Sequence, residues 1–194
     1  MPRIIAGGRK GRRLQVPRGT KTRPTGARVK QSLFDILGPR LPAARFLDLF
    51  AGGGTIGLEA ASRGAARVVL VEHDRRAADA IRHNATLLDP PSEVVVRPGD
   101  CLRVLEALAR QAARFDIVFL DPPYESDLYE PVLRALDALA LCEASGLIVA
   151  EHFHKRPLPE RIGALESVRS VRIGDHCLTF YGRGAGEPRE KEET

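Results

Sequence analysis

From Arg45 onward, five short β-branched apolar runs recur, each separated from the next by a helix-length amphipathic stretch. The runs lie near 46–50, 68–72, 94–97, 115–120 and 146–151, and helices are predicted near 54–63, 75–87, 101–112 and 127–140. A strand that is apolar at nearly every position is covered on both faces. Strands that alternate with helices are joined by right-handed crossovers. The pattern therefore predicts an α/β fold, a mostly parallel sheet with helices on both sides. Only the end departs from it. There Ser167 to Ile173 and Cys177 to Tyr181 flank Gly174-Asp175-His176, a hairpin that adds an antiparallel pair to one edge.

A chain of 194 residues, 43% hydrophobic and 28% charged, can bury one substantial core. No apolar run approaches the ~18–20 residues of a membrane span. The first residues are basic and lack an apolar signal region, so a cytoplasmic protein is expected. Cys101, Cys142 and Cys177 are dispersed and odd in number, as free thiols in a reducing compartment would be. Nothing marks a large apolar interface, which predicts a monomer.

The net charge of +5 hides an asymmetry. Met1 to Arg45 carries twelve Lys or Arg against one acid, a balance of +11, while the rest carries eighteen against twenty-four, or −6. A basic arm on a mildly acidic body suits a polyanionic partner. Arg3 to Ala6 and Arg13 to Val16 read as short strands around Gly7-Gly8-Arg9-Lys10-Gly11-Arg12, a charged turn suited to tracking phosphates. Pro17 to Pro24 has no periodicity and reads as loop. From Gly26 to Leu37, Val29, Leu33, Phe34, Ile36 and Leu37 share a helix face, which sets Arg28 and Lys30 outward. The expected organisation is a basic extension over 1–45, a main domain over 46–182 and a disordered tail over 183–194.

Two places carry chemistry. Phe46 to Phe50 leads into Ala51-Gly52-Gly53-Gly54-Thr55-Ile56-Gly57, where glycines let the backbone turn sharply and approach a ligand at a helix N-terminus. Glu72 ends the next strand twenty residues after Gly52, placed to accept hydrogen bonds from ribose hydroxyls. This combination suits a nucleotide-like cofactor without choosing one. A dinucleotide would use the loop for its pyrophosphate, whereas S-adenosylmethionine needs a polar group for its ammonium, which Asp48 supplies. Asp100 is placed both to cap the helix starting at Cys101 and to accept from an adenine amino group. Cys101 beside it reads as a small apolar residue. The second place is Asp121-Pro122-Pro123-Tyr124, directly after the buried run Phe115 to Leu120. Two prolines end a strand abruptly, so an acid, a stiff elbow and an aromatic ring arrive at the ligand edge. His152, His154, His176 and Cys177 match no zinc spacing, and no metal is expected.

Taken with Asp48 to Gly54, Glu72 and Asp121 to Tyr124, the segments Arg3-Ile4-Ile5-Ala6-Gly7, Thr22-Arg23-Pro24-Thr25 and Gly57-Leu58-Glu59-Ala60 with Ser62 to Ala65 are telling. Together they resemble the bacterial 16S ribosomal RNA guanine-N2 methyltransferase family, over Arg3 to about Tyr181. Ala27, where the family pattern has an acid, and Gly53, where serine is commoner, depart from it. The resemblance implies a Rossmann-like class I methyltransferase fold, S-adenosylmethionine as cofactor, and 16S ribosomal RNA or a small-subunit assembly intermediate as partner. It implies cofactor contacts from Asp48, Phe50, Ala51, Gly52, Gly54, Glu72, His73, Asp100, Cys101 and Asp121. Asp121, Pro122 and Tyr124 would carry catalysis, with Arg3, Arg9, Lys10, Arg12, Arg13, Arg23, Arg28 and Lys30 on RNA. The motif alone does not separate guanine N2 from adenine N6, or RNA from DNA. An NAD-dependent oxidoreductase and a non-catalytic RNA-binding module remain the other classes.

Overall fold

The computed structural model describes residues 2–15, 26–88, 92–123 and 126–184. Eight strands among them form one sheet: β1 (Arg45–Leu49), β2 (Arg67–Glu72), β3 (Glu93–Pro98), β4 (Phe115–Leu120), β5 (Cys142–Phe153), β6 (Arg161–Ile162), β7 (Leu165–Ile173) and β8 (His176–Arg183). Their order is β3-β2-β1-β4-β5-β8-β7-β6. The first five are parallel, and β8 lies antiparallel between β5 and β7. From β1 the chain builds outward to β2 and β3 on one side, then restarts with β4 and β5 on the other. The order reverses between β1 and β4, and in open α/β sheets the carboxyl ends of the strands at such a point are where ligands bind.

Five helices cover the faces: α1 (Ala27–Leu37), α2 (Gly57–Ser62), α3 (Arg75–Leu88), α4 (Cys101–Arg110) and α5 (Tyr129–Ala138). Side chains alternate through the sheet. Leu47, Leu49, Val118, Leu120 and Ile148 pack on Leu105 and Leu108 of α4 and on Val132, Leu133 and Leu136 of α5. Phe46, Val68, Leu70, Ile117 and Phe119 face the other way, onto Leu33 and Phe34 of α1, Ala60 and Ala61 of α2, and Ile81 of α3. This is why the strands read as unbroken apolar runs. Each such side chain stabilises by about 1.5–3 kcal/mol.

The N-terminal segment is narrower than a two-stranded ribbon with full pairing: one bridge joins Arg3 to Arg13. Ile4 and Leu14 are buried with Leu58 of α2 and Leu88 of α3. Lys30 corrects an expectation. It is 5% exposed rather than outward, because it shares the helix face of Leu33, Phe34 and Leu37, and its ammonium donates to the Arg3 carbonyl (2.8 Å) and to Glu59 (3.0 Å). The helix predicted at 54–63 is shortened to α2, since the backbone before it is still turning. β5 is longer than expected at both ends, and at its amino end a register shift between Phe115 and Ile117 absorbs the difference. The hairpin turn is Gly174-Asp175, His176 already belonging to β8. Val16, Arg23, Tyr124 and the chain beyond Gly184 lie outside the described residues.

Candidate active site

The site begins where β1 ends. Phe50 (φ 65°), Gly52 (φ 55°) and Gly54 (φ 75°) take left-handed backbone, which folds the chain back on itself within five residues. For Phe50 that conformation costs about 1–3 kcal/mol, held by the surrounding turn. The Gly54 N–H donates to the Ala51 carbonyl (2.7 Å), and Ala51 itself donates to Val71 of β2 (2.9 Å). Gly57 then opens α2 against the sheet. A β-carbon there would lie 2.6 Å from Leu70 Cδ2 and 3.1 Å from Asp48 Oδ2.

Asp48 is the one acid within β1 and is 1% exposed. Its Oδ2 accepts the Gly57 N–H (2.8 Å). Burial strips water from the carboxyl and pushes its pKa up to about 8, with repulsion from Asp121 and Glu72 adding to this and the Gly57 bond opposing it. Glu72, at the tip of β2, folds back over the loop: Oε2 accepts the Gly52 N–H (2.6 Å) and Oε1 the Asp74 N–H (2.8 Å). Each oxygen keeps a second lone pair for a hydroxyl donor. His73 beside it is exposed. Gly99 donates to the Glu72 carbonyl (2.9 Å), which brings the exit of β3 alongside. There Asp100 caps α4, accepting the Arg103 N–H (3.1 Å). Cys101 is 7% exposed, and burial pushes its thiol up to about 12, so it stays protonated and apolar.

Register places Leu49 opposite Leu120, so Asp121 emerges level with Phe50 at the same edge. Asp121 is half-buried, and desolvation raises its pKa to about 7. Pro122 is buried and Pro123 exposed; the Pro123 carbonyl accepts from Ser126 N (2.9 Å) and Oγ (2.6 Å), closing a turn after the motif. Three carboxyls, of Asp48, Glu72 and Asp121, thus converge on the glycine loop. Two loop N–H groups, those of Gly52 and Gly57, are already bonded to Glu72 and Asp48. A pyrophosphate would meet repulsion here, and a cation would be stabilised. A cleft of about 320 Å³ lined by Arg40, Pro42, Asp116 and Ser145 lies at the opposite sheet edge, away from these groups.

The family model described as Conserved hypothetical protein 95 matches residues 2–182. The chain belongs to that family. The Escherichia coli (strain K12) protein named Ribosomal RNA small subunit methyltransferase D is 36% identical over 183 residues, 94% of this chain and 90% of its own. A solved structure from Thermus thermophilus superposes with TM-score 0.79 at 36% identity, covering 93% of this chain and 98% of that one. Another, from Escherichia coli, gives 0.82 at 32%, covering 95% and 98%.

Within this family member, the sequence-derived cofactor residues Asp48, Phe50, Ala51, Gly52, Gly54, Glu72, Asp100 and Cys101 lie along the carboxyl edge of β1, β2 and β3, with Asp121 facing them from β4. Glu151 and His152, near the carboxyl end of β5, are both buried. His152 is 5% exposed and shares a hydrogen bond with Thr179 Oγ1 (2.8 Å) through Nε2, while Nδ1 faces the Phe153 and Arg156 carbonyls (3.1 Å each). Burial lowers its pKa, so the ring is neutral. Glu151 is 1% exposed and pairs with His176 (3.0 Å). Among the described residues no His, Cys, Asp or Glu cluster can hold a metal. Arg3, Lys10, Arg12, Arg13 and Arg28 are exposed, whereas Arg9 is half-buried with its Nε on the Leu88 carbonyl and Lys30 is turned inward. Sequence reasoning missed Glu59. An acid inside the small apolar helix Gly57–Ser62, buried at every position, was the available signal.

Proposed function

We propose that this protein transfers a methyl group from S-adenosylmethionine to the exocyclic N2 of a guanine in 16S ribosomal RNA, acting in the cytoplasm as a monomer. The observation that carries the reading is the trio of carboxyls on the glycine loop. S-adenosylmethionine brings a sulfonium and an ammonium, which such a site favours over a pyrophosphate. Glu72 would accept from its ribose, Asp48 and the loop would face its methionine end, and Asp100 and Cys101 would flank its adenine. Membership of the family and the name of the Escherichia coli relative support ribosomal RNA as substrate.

Bound S-adenosylmethionine supplies an electrophilic methyl group; the protein must prepare the amine. An exocyclic guanine amine is a poor nucleophile because its lone pair is delocalised into the ring. The Asp121 carboxylate and the Pro122 carbonyl, on a backbone stiffened by two prolines, are suited to accept its two hydrogens. That frees the lone pair and stabilises the positive charge that develops on nitrogen. A carboxyl whose pKa stands near 7 then takes the proton released. Tyr124 would stack on the base, worth about 1–3 kcal/mol. A paired target must first be splayed out.

The test is transfer of tritiated methyl to 16S RNA lacking the modification, followed by nucleoside analysis. N2-methylguanosine is expected, and Asp121→Ala should lose transfer while retaining S-adenosylmethionine binding. N6-methyladenosine, or wild-type rates in the variant, would overturn the assignment.

A further inference from the structure

One buried acid at the carboxyl edge takes no part in holding the cofactor or the amine. Glu151 is 1% exposed, and its Oε1 lies 3.0 Å from Nδ1 of His176, whose side chain is 36% exposed. Its backbone is clamped as well: the Tyr129 hydroxyl, at the start of α5, donates to the Glu151 carbonyl (2.8 Å). Burying a carboxylate is costly unless it is paired. The pairing here sets a buried acid behind a half-exposed imidazole, an arrangement that fixes the tautomer and the aim of the ring.

Register puts this pair beside Asp121. Leu120 of β4 lies opposite Ala150 of β5, so Asp121 and Glu151 emerge next to each other. Glu151 lies opposite Leu178 and Phe153 opposite His176, so the imidazole sits one strand further along the same edge. Phe119, Val149 and Leu178 pack in one core layer. Asp121, Glu151 and His176 each stand two residues from one of them and so share that face of the sheet. His152 points the other way, where Thr179 holds it. Two strand spacings, roughly 10 Å, separate the Asp121 and His176 backbones, and both side chains reach into that interval. One purine can touch both.

We infer that His176 reads the target base, its Nε2 accepting the N1 hydrogen of guanine while Asp121 and Pro122 hold the N2 amine, and that Glu151 is its positioning residue. The inference rests on the methyl-transfer reading above and supplies what the Asp121 motif lacks, a choice between purines. With the Glu151 carboxylate accepting from Nδ1, the uncharged ring carries its lone pair at Nε2. Guanine has a hydrogen at N1, next to its amine. Adenine has a lone pair beside its own. The first completes a hydrogen bond, whereas the second sets two lone pairs against each other and leaves both unpaired.

The test uses full-length protein and 16S RNA joined from fragments, so that the nucleotide found methylated carries guanine, 2,6-diaminopurine or 6-thioguanine. Diaminopurine keeps the N2 amine but has a lone pair at N1; thioguanine keeps the N1 hydrogen and weakens the acceptor at position 6. In single-turnover transfer by the wild type, diaminopurine should be slower than guanine by about 10–100-fold and thioguanine by no more than about threefold. His176→Phe keeps a ring without nitrogens. It should slow transfer to guanine by about tenfold and bring diaminopurine level with it. Glu151→Gln should narrow the diaminopurine penalty by at least about threefold, with S-adenosylmethionine binding unchanged in both variants. Equal wild-type rates on guanine and diaminopurine would overturn the inference whatever the variants do, as would discrimination that survives His176→Phe. A loss with thioguanine as large as that with diaminopurine would move the contact to position 6 and overturn it too. No transfer to any of the three RNAs would sink the methyl-transfer reading itself, and the inference with it.

Discussion

Binding of S-adenosylmethionine should release protons, and the amount follows from two carboxyls. With pKa values of about 8 for Asp48 and about 7 for Asp121, they hold roughly 0.9 and 0.5 proton at pH 7, about 1.4 together. A cation brought against them favours their ionised forms. If each pKa falls by only about one unit, roughly 0.8 proton leaves; full ionisation releases about 1.4. Calorimetry at pH 7 in buffers of differing ionisation enthalpy reads this number as the slope of observed enthalpy against buffer enthalpy. S-adenosylhomocysteine lacks the sulfonium charge and should release fewer protons. Asp48→Asn should leave no more than about 0.5, the share of Asp121. At pH 9, where the free protein has already lost most of these protons, the slope should nearly vanish. A zero slope at pH 7, or proton uptake, would show that the carboxyls do not face the cationic part of the ligand.

The same burial bears on the ligand-free protein. Because the Asp48 pKa is raised on folding, the folded state binds the extra proton. Stability is therefore greatest below pH about 4 for this group and is lost as pH rises towards 8, by at most about 5 kcal/mol. Urea unfolding from pH 5 to 8 should show the decline, and Asp48→Asn should flatten it; an unaltered slope in the variant would rule Asp48 out as its source. Gly57→Ala drives a β-carbon to 2.6 Å from the fully buried Leu70, with an expected loss of about 1–3 kcal/mol in a denaturant titration and weaker cofactor binding. Glu59→Gln leaves Lys30 without its buried anion. A loss of about 3–5 kcal/mol is expected, and a cost within about 1 kcal/mol would mean that the buried Lys30–Glu59 pair does not hold the N-terminal segment in place.

What the sequence made legible follows from periodicity. Strands with both faces covered announce themselves, so β1, β2 and β4 are legible nearly to the residue, and the glycine loop, Glu72 and Asp121 with them; the edge strand β3 is half-exposed and is legible instead from its β-branched run Val94 to Val96. Long-range polar bonds leave no such trace. Lys30 falls within the apolar stripe, three, four and seven residues before Leu33, Phe34 and Leu37, so its spacing marks it as inward. What the sequence hides is its partners, Glu59 and the Arg3 carbonyl, 29 and 27 residues away, which let its charge be buried. Glu72 was legible as an acid at a strand tip, but not its return to the Gly52 N–H. The start of α2 shifted because the left-handed turn through Phe50, a residue that rarely adopts one, used residues that a helical pattern had claimed.

The attachments of the N-terminal segment bear on biosynthesis. The Ile5 and Ala6 N–H groups donate to Glu59, and that of Gln15 to Asn84, so the segment is made well before the helices that seat it. At about 5–20 residues per second, a strongly cationic stretch trails from the ribosome for several seconds. Until Glu59 and Asn84 are in place, the Ile5, Ala6 and Gln15 backbone groups are left to water.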